Sequence, residues 1–422
     1  MFALVDCNSF FCSVEKVFHP GLDGRPVCVL SSNDGCIVAL TPEAKAVGLH
    51  RGDPIFKMKD IVEKHQVILF STNMPLYAAM SRRVTSILRL SVHHVENYSI
   101  DESFCDLQSF GEHFDLTKLM REVRQRIKLW TDIPVSIGIA PSKTLAKMGS
   151  KFAKQYQGYR GVCMIDTEEK RRKALEIFAL SDVWGIGRRT LEVLNYYGVH
   201  TPLQFADKKE SWVRAHFHQP GVQTWMELNG IPCIDTSEVI RNQNICTSRS
   251  FGDMVSDLPS LKASVASFAS SCANKLRGQQ SLCQSVTVFV SSNSFRTDLP
   301  QYGNAATVLL ATPTADTLEI NKAAMQCLES VYLPGIMYKK SGVLLGKISP
   351  AYPAQMELFN SPVRRMRREN LMHALDDINQ RYGAKTLHLA VEDCGHQPWH
   401  VKCEHRSPNY LTDINEILTI RI

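Results

Sequence analysis

The chain opens on an apolar run, Phe2-Ala3-Leu4-Val5, which reads as a strand and stops at Asp6. Residues 95–100 form a second strand-like stretch, and Phe104-Cys105-Asp106-Leu107 alternates in the same way. The two predict a β-hairpin with Asp101 and Glu102 at its tip or on its first strand. Between these runs, residues 14–18 allow a short helix, 26–30 and 37–40 are strands, and Ser31-Ser32-Asn33-Asp34-Gly35 is a turn by composition. A helix opening at 42–47 stops at Gly48. Asp115 is placed to cap a helix with Leu116, Leu119, Met120, Val123, Ile127 and Trp130 on one face. A strand at 135–139 and a helix from Ser142 follow. Strand, hairpin, helix, strand is the order of a ferredoxin-like sheet.

From about 166 to 232 the texture shifts to short helices broken by glycines. Trp184-Gly185-Ile186-Gly187-Arg188-Arg189, ahead of Leu191, Leu194 and Tyr197, reads as a helix-hairpin-helix in which two glycines turn the backbone tightly toward a phosphate. Residues 233–244 are polar and unpatterned, a linker. Beyond them come a helix at 261–276, a strand at 285–290, a polar loop at 291–304 and strands at 307–310 and 342–345. The part from 348 to 422 is punctuated by proline and then partly helical. No internal repeat or low-complexity segment interrupts the chain. The result is an α/β (α+β) multidomain chain, which 422 residues require because a single core stops growing well before that length.

Composition narrows this little. A hydrophobic content of 44% and a charged content of 21% are ordinary for a globular protein, and a net charge of +6 permits a nucleic-acid partner without demanding one. Thirteen cysteines are spread without a disulfide framework, as small core residues in a reducing compartment. With no apolar signal segment at Met1 and no membrane-spanning run, a cytoplasmic protein with no membrane partner is expected.

The chemistry lies in the acids. Adjacent carboxylates in a partly buried place repel each other, and a bound cation is the usual remedy. Asp6, Asp101 and Glu102 together make a three-carboxylate set able to hold two Mg²⁺ ions for phosphoryl or nucleotidyl transfer. An Asp-Glu pair alone is usually a solvated turn. Around these acids, however, stand Asp6-Cys7-Asn8-Ser9-Phe10-Phe11, Ser99-Ile100-Asp101-Glu102-Ser103-Phe104, Ser32-Asn33-Asp34-Gly35 and Val183-Trp184-Gly185-Ile186-Gly187-Arg188-Arg189. This wording resembles the Y-family translesion DNA polymerases, and among them the UmuC-like catalytic subunits of bacterial DNA polymerase V, over nearly the whole chain.

The resemblance implies a right-hand polymerase. Residues 1–165 would be a ferredoxin-like palm with small fingers inserted at about 18–75. A helical thumb carrying the helix-hairpin-helix at 166–232, a linker at 233–244, an α+β little finger at 245–347 and a partner-binding C-terminal tail at 348–422 would complete it. It also implies error-prone DNA-directed synthesis past lesions in the SOS response, on primer-template DNA and deoxynucleoside triphosphates. Asp6, Asp101, Glu102 and the backbone carbonyl of Cys7 would hold the metals. Phe11 would be the steric gate against a ribose 2′-hydroxyl, with Phe10 given to packing because adjacent strand residues face opposite ways. Lys45 and Lys154 would meet the triphosphate. Lys147, Lys151 and Lys154 share a helix face, which by itself is also what a solvated surface presents. Lys45 replaces an Arg common in the family and so lacks its fork, and Pro42 replaces a Tyr and offers no hydroxyl.

For DNA, Gly185, Gly187, Arg188 and Arg249 are the candidate contacts, with Arg296, Lys339-Lys340 and the 364–368 basic cluster as further cations. Gln355-Met356-Glu357-Leu358-Phe359 matches the family's clamp peptide, with Gln355, Leu358 and Phe359 as anchors. A UmuD′-like dimer, a RecA filament and association with the nucleoid are implied by the resemblance alone. Cys394, His396, His400, Cys403 and His405 could supply enough ligands for zinc, but their spacing is not a standard finger, and surface His with buried Cys is the plainer reading. Two other functions fit paired acids: a palm-domain nucleotidyl cyclase and a non-catalytic DNA-binding scaffold. The helix-hairpin-helix and the domain after 245 argue against the first, and the intact acid triad against the second.

Overall fold

The computed structural model describes every residue except 111–113, 237–240, 352–361, 393–396 and 418–422, and only the backbone of 362–365. The candidate clamp anchors Gln355, Leu358 and Phe359, and Cys394 and His396, lie outside the described residues. The chain divides into two compact units, Met1–Val239 with Glu404–Ile422, and Ile240–Cys403.

In the first unit the elements run β1 (Phe2–Cys7), α1 (Phe10–Phe18), β2 (Val27–Leu30), β3 (Ile37–Leu40), α2 (Pro42–Ala46), α3 (Lys59–Lys64), β4 (Ile68–Ser71), α4 (Met74–Arg89), β5 (His94–Asn97), β6 (Glu102–Asp106), α5 (Leu116–Thr131), β7 (Val135–Ala140), α6 (Lys143–Gln155) and β8 (Val162–Met164). Four further helices follow: α7 (Glu168–Ile177), α8 (Arg188–Tyr196), α9 (Pro202–Ala206) and α10 (Glu210–Leu228). The main sheet has the order β5-β6-β1-β7-β8, and β2 sits between β3 and β4 in a smaller sheet.

β1 is apolar up to Asp6 because helices cover both of its faces. Ala3, Val5 and Cys7 face a core shared with α4 and α5, whereas Leu4 faces a core shared with α6 and the helices from α7 to α10. Asp6 therefore shares the α6 face with Leu4. Across the antiparallel ladder Leu4 pairs with Phe104 and Asp6 with Glu102. The hairpin turns earlier than its hydrophobic pattern predicts. The amides of Tyr98 and Ser99 both donate to the Glu102 carbonyl, at 3.2 and 3.1 Å, so Asp101 ends the turn and Glu102 opens the second strand.

Two other expectations are corrected. Phe10 and Phe11 start helix α1, so a strand alternation cannot assign them; Phe10 is buried and Phe11 half-buried all the same. On α5 the buried stripe runs through Leu116, Met120, Val123, Ile127 and Thr131, which rotates Trp130 off the core face, 55% exposed beneath the Arg126 guanidinium. Asp115 does cap this helix, accepting from the Lys118 amide at 2.9 Å.

The second unit is a β11-β10-β12-β9 sheet, built from β9 (Ile245–Val255), β10 (Ser281–Ser292), β11 (Gly303–Thr314) and β12 (Tyr338–Gly346). Helices α11 (Leu258–Gly278) and α12 (Thr317–Val331) pack on one face. α12 is absent from the sequence reading. Helix α13 (Pro362–Tyr382) is tied on by Arg277, whose guanidinium grips Asp376 at 2.6 and 2.7 Å. Arg368 pairs with Asp316 and Glu319, so this member of the basic cluster serves packing. The stretch read as one tail, 348–422, is thus divided between the units at residue 404.

What sets α6 over β1 is a close approach to β7 at two glycines. A Cβ on Gly138 would stand 2.0 Å from the Ala146 carbonyl oxygen and 2.1 Å from the Ser150 nitrogen, and one on Gly149 3.1 Å from the Gly138 Cα. Backbone cannot yield as a side-chain tip can. Gly138→Ala is expected to cost about 3 kcal/mol or more as α6 is pushed away. A urea melt within about 1 kcal/mol of the wild type would contradict this packing argument.

Candidate active site

β1, β6 and α6 bring the sequence-predicted residues together. Asp6 and Glu102 are cross-strand partners, Asp101 precedes Glu102, and the Cys7 amide donates to the Asp101 carbonyl at 2.9 Å. Ser99, which the sequence reading gave no role, orients the turn: its hydroxyl donates to the Asp101 carboxylate at 2.5 Å and accepts from the Glu102 amide at 3.1 Å. The Asn8 side chain is held by the Ser136 hydroxyl at 3.0 Å.

The α6 lysines lie over these acids. Lys147 binds Glu102 at 2.7 Å, Lys154 stands 3.5 Å from Asp6, and Lys151 pairs with Asp182. With Leu4, Trp184 and Phe178 these six charged side chains line one cavity of about 290 Å³. Lys147 is also boxed by aromatic faces, 4.5 Å from the Tyr98 centroid and 5.3 Å from that of Trp184. Neither ring was singled out from sequence as a partner of this lysine.

Burial pushes the Asp6 carboxyl up to about 6, Glu102 and Asp101 push the same way, and Lys154 opposes them. Burial also pushes the Cys7 thiol up, which leaves that side chain a neutral core group. Among the described residues, no three His, Cys, Asp or Glu side chains are grouped closely enough to hold a metal ion. The reason is visible: Asp101 is turned to Ser99, and Glu102 and Asp6 to lysines. The donor set itself is all oxygen and net negative, the chemistry a hard divalent cation takes, and the lysines stand where positive charge is needed.

Phe11 lies on the other core. Its ring stacks on Tyr77 with centroids 4.4 Å apart and planes at 17°. Tyr77 in turn donates to the buried Glu15 at 2.7 Å. Lys45 is exposed on α2 and makes no ion pair with the acids among the described residues.

The candidate DNA contacts are dispersed. Gly185 has φ 96°, and a Cβ there would also meet the Thr224 hydroxyl at 2.2 Å, so glycine is required twice over. Gly187 has φ −88° and open space beside it. It serves as the N-cap of α8, and the expectation of two tight glycines reduces to one. Arg188 is 92% exposed and pairs with Glu192. In the second unit Arg249 is exposed on β9, Arg296 pairs with Asp298, and Lys339 is spent on the carbonyls of Phe251 and Gly252.

Residues 5–151 match the impB/mucB/samB family, residues 242–358 its C-terminal domain, and residues 369–420 a domain of unknown function. The chain is 40% identical over 423 residues to Protein UmuC of Salmonella typhimurium and 38% identical over 426 residues to Protein ImpB of the same species, covering 100% of all three chains. Its fold is similar to that of a Y-family DNA polymerase chimera, with a TM-score of 0.64 at 20% identity, over 83% of this chain and 100% of the other. A cavity walled by paired acids and an α6 lysine row, on a chain alike from end to end to UmuC and ImpB, places it: the protein belongs to the impB/mucB/samB family of UmuC-type proteins.

Proposed function

We infer that this chain is an error-prone DNA-directed DNA polymerase that performs translesion synthesis in the SOS response, and we propose two-metal-ion nucleotidyl transfer as its mechanism. The observation that carries the mechanism is the pairing of Asp6 with Glu102 across β1 and β6, with Asp101 adjacent and the α6 lysines above. Asp6, Asp101, Glu102 and the Cys7 carbonyl would hold two Mg²⁺ ions. When bound, the ions supply Lewis-acid activation of the primer 3′-hydroxyl and charge neutralisation on the leaving phosphate. Lys154 and Lys45 would neutralise the triphosphate and the departing pyrophosphate. Phe11, backed by Tyr77, would reject a ribose by collision. Catalysis is then positioning plus charge stabilisation.

Gly185, Gly187, Arg188 and Arg249 are proposed to hold the duplex by its phosphates, independent of sequence. The remaining partners belong to the same proposal and rest on sequence likeness: a sliding clamp docked at Gln355, Leu358 and Phe359, a UmuD′-like dimer and a RecA filament, all at the bacterial nucleoid. Among the described residues no helix is long and apolar enough to cross a membrane.

Three expected outcomes test the reading. Asp101→Asn and Glu102→Ala should each lower nucleotide incorporation by about 10²-fold or more while DNA binding persists, since an essential catalytic group typically costs that much. Primer extension within about threefold of wild type would sink the assignment.

Phe11→Ala should raise ribonucleotide over deoxynucleotide incorporation. Phe10→Ala should instead lower stability by about 3–5 kcal/mol, as the loss of a buried ring does. A sugar effect confined to Phe10 would reverse the two roles.

Asp6 gives a pH test. In the fold its carboxyl takes up a proton near 6, against 3.8 for the ordinary group, so between these values the folded chain binds more protons and stability falls as pH rises. With divalent cations chelated, Asp6→Asn should therefore melt above wild type near pH 7.5, and the gap should close toward about pH 4. An Asn variant that melts lower at both values would mean that the charge is already compensated.

A further inference from the structure

The most distant piece of the first unit is residues 404–411, which fall within the stretch matched to a domain of unknown function. They lie along β4, the edge strand of the small sheet. Ser71 and Arg406 form a parallel bridge, the Ser71 amide donates to the His405 carbonyl at 3.0 Å, and the His405 amide donates to the Ser71 hydroxyl at 2.9 Å. An edge covered in this way has fewer unpaired backbone groups to satisfy. Farther along, Tyr410 stacks on Phe18 of α1 with centroids 4.8 Å apart.

Between these anchors Ser407 enters the core. Its hydroxyl donates to Glu15 Oε1 at 3.0 Å, the atom to which Tyr77 also donates at 2.7 Å. Glu15 is fully buried, and its other carboxylate oxygen has no partner among the described residues. A buried carboxylate depends on the few donors that reach it. Of the two hydroxyls on Glu15, one comes from α4 and the other from the far end of the chain. The Asn73 side chain joins the same two segments. It donates to the Ser407 and Pro408 carbonyls at 2.8 and 3.3 Å, while its own oxygen caps α4 at the Leu76 amide. Phe11 and Glu15 lie on α1, and Asn73 and Tyr77 lie at and after the start of α4. Residues 404–411 therefore grip both helices behind the Phe11–Tyr77 ring pair.

We propose that Ser407 and Glu15 are positioning residues for sugar selection: they fix the Tyr77 ring against Phe11, making the C-terminal segment part of the nucleotide-selecting wall. The inference rests on the reading of Phe11 as the steric gate. Its consequence is that a residue nearly 400 positions from Phe11 sets how rigidly that gate stands.

The test is single-nucleotide primer extension by the full chain, reading kcat/KM for a ribonucleotide relative to the matching deoxynucleotide. A purely structural loss lowers both and leaves their ratio unchanged. Tyr77→Phe keeps the ring and removes its hydrogen bond; Ser407→Ala removes the other. Each should raise the ratio by about 3- to 10-fold, the range that one hydrogen bond spans. Ser407→Thr, which keeps a hydroxyl, should restore it, and neither variant should add to the effect of Phe11→Ala. If Phe11→Ala relaxes selection but Tyr77→Phe and Ser407→Ala leave the ratio at the wild-type value, the inference is overturned. If Phe11→Ala itself changes nothing, the gate reading fails first and this inference falls with it.

Discussion

Asp6 and Glu102 face each other across the β1–β6 ladder with Asp101 alongside, and the rest of the first unit is arranged around that concentration of negative charge. Like charges held on adjacent strands cannot separate, so the fold must bring cations to them. It does so with one helix. α6 lies close enough because Gly138 and Gly149 let its backbone meet β7, and its lysine row then falls over the acids. Burial still holds the Asp6 carboxyl above the usual carboxylate range, with Lys154 opposing it.

The opposite face of the same sheet solves a different problem. Phe11 and Tyr77 carry no charge, and their placement is a matter of packing and one buried carboxylate. Glu15 is expensive to bury, and the chain meets that cost with donors from α4 and from residue 407. The acid pair and the Phe11–Tyr77 pair therefore lie against separate cores that meet at β1. A substitution in one core need not disturb the other, so the two proposed roles, turnover and sugar choice, can be probed separately.

The acid site was largely legible in the sequence because local rules govern it. An apolar run ending in Asp6, a hairpin with adjacent acids and a helix with lysines at turn spacing each carry their own signal. Where the reading slipped, a local pattern lost to tertiary context. Phe10 and Phe11 look like a strand's continuation, yet Ser9 turns at φ 44° and a helix starts. Trp130 fits an apolar stripe by eye but falls outside the arc that α5 buries. Gly187 carries no positive φ, so its motif membership overstated its conformational role. The 404–411 segment left no trace at all, because pairing with Ser71, Asn73 and Glu15 spans more than 300 positions and no periodicity records it.

Lys147 shows how one carboxylate of the acid site is held. Against Glu102 alone, a lysine at 2.7 Å would be a competitor, and a metal ion would have to displace it into solvent. Here Tyr98 and Trp184 present their ring faces within 5.3 Å of the same ammonium. Were Glu102 to turn to a metal ion as proposed, Lys147 would keep a cation–π environment worth about 0.5–2 kcal/mol. Trp184 leads directly into the Gly185 turn, so the ring that receives the lysine is anchored by the glycine-dependent loop next to it. Through Trp184 the Glu102–Lys147 pair thus touches the segment proposed to grip DNA.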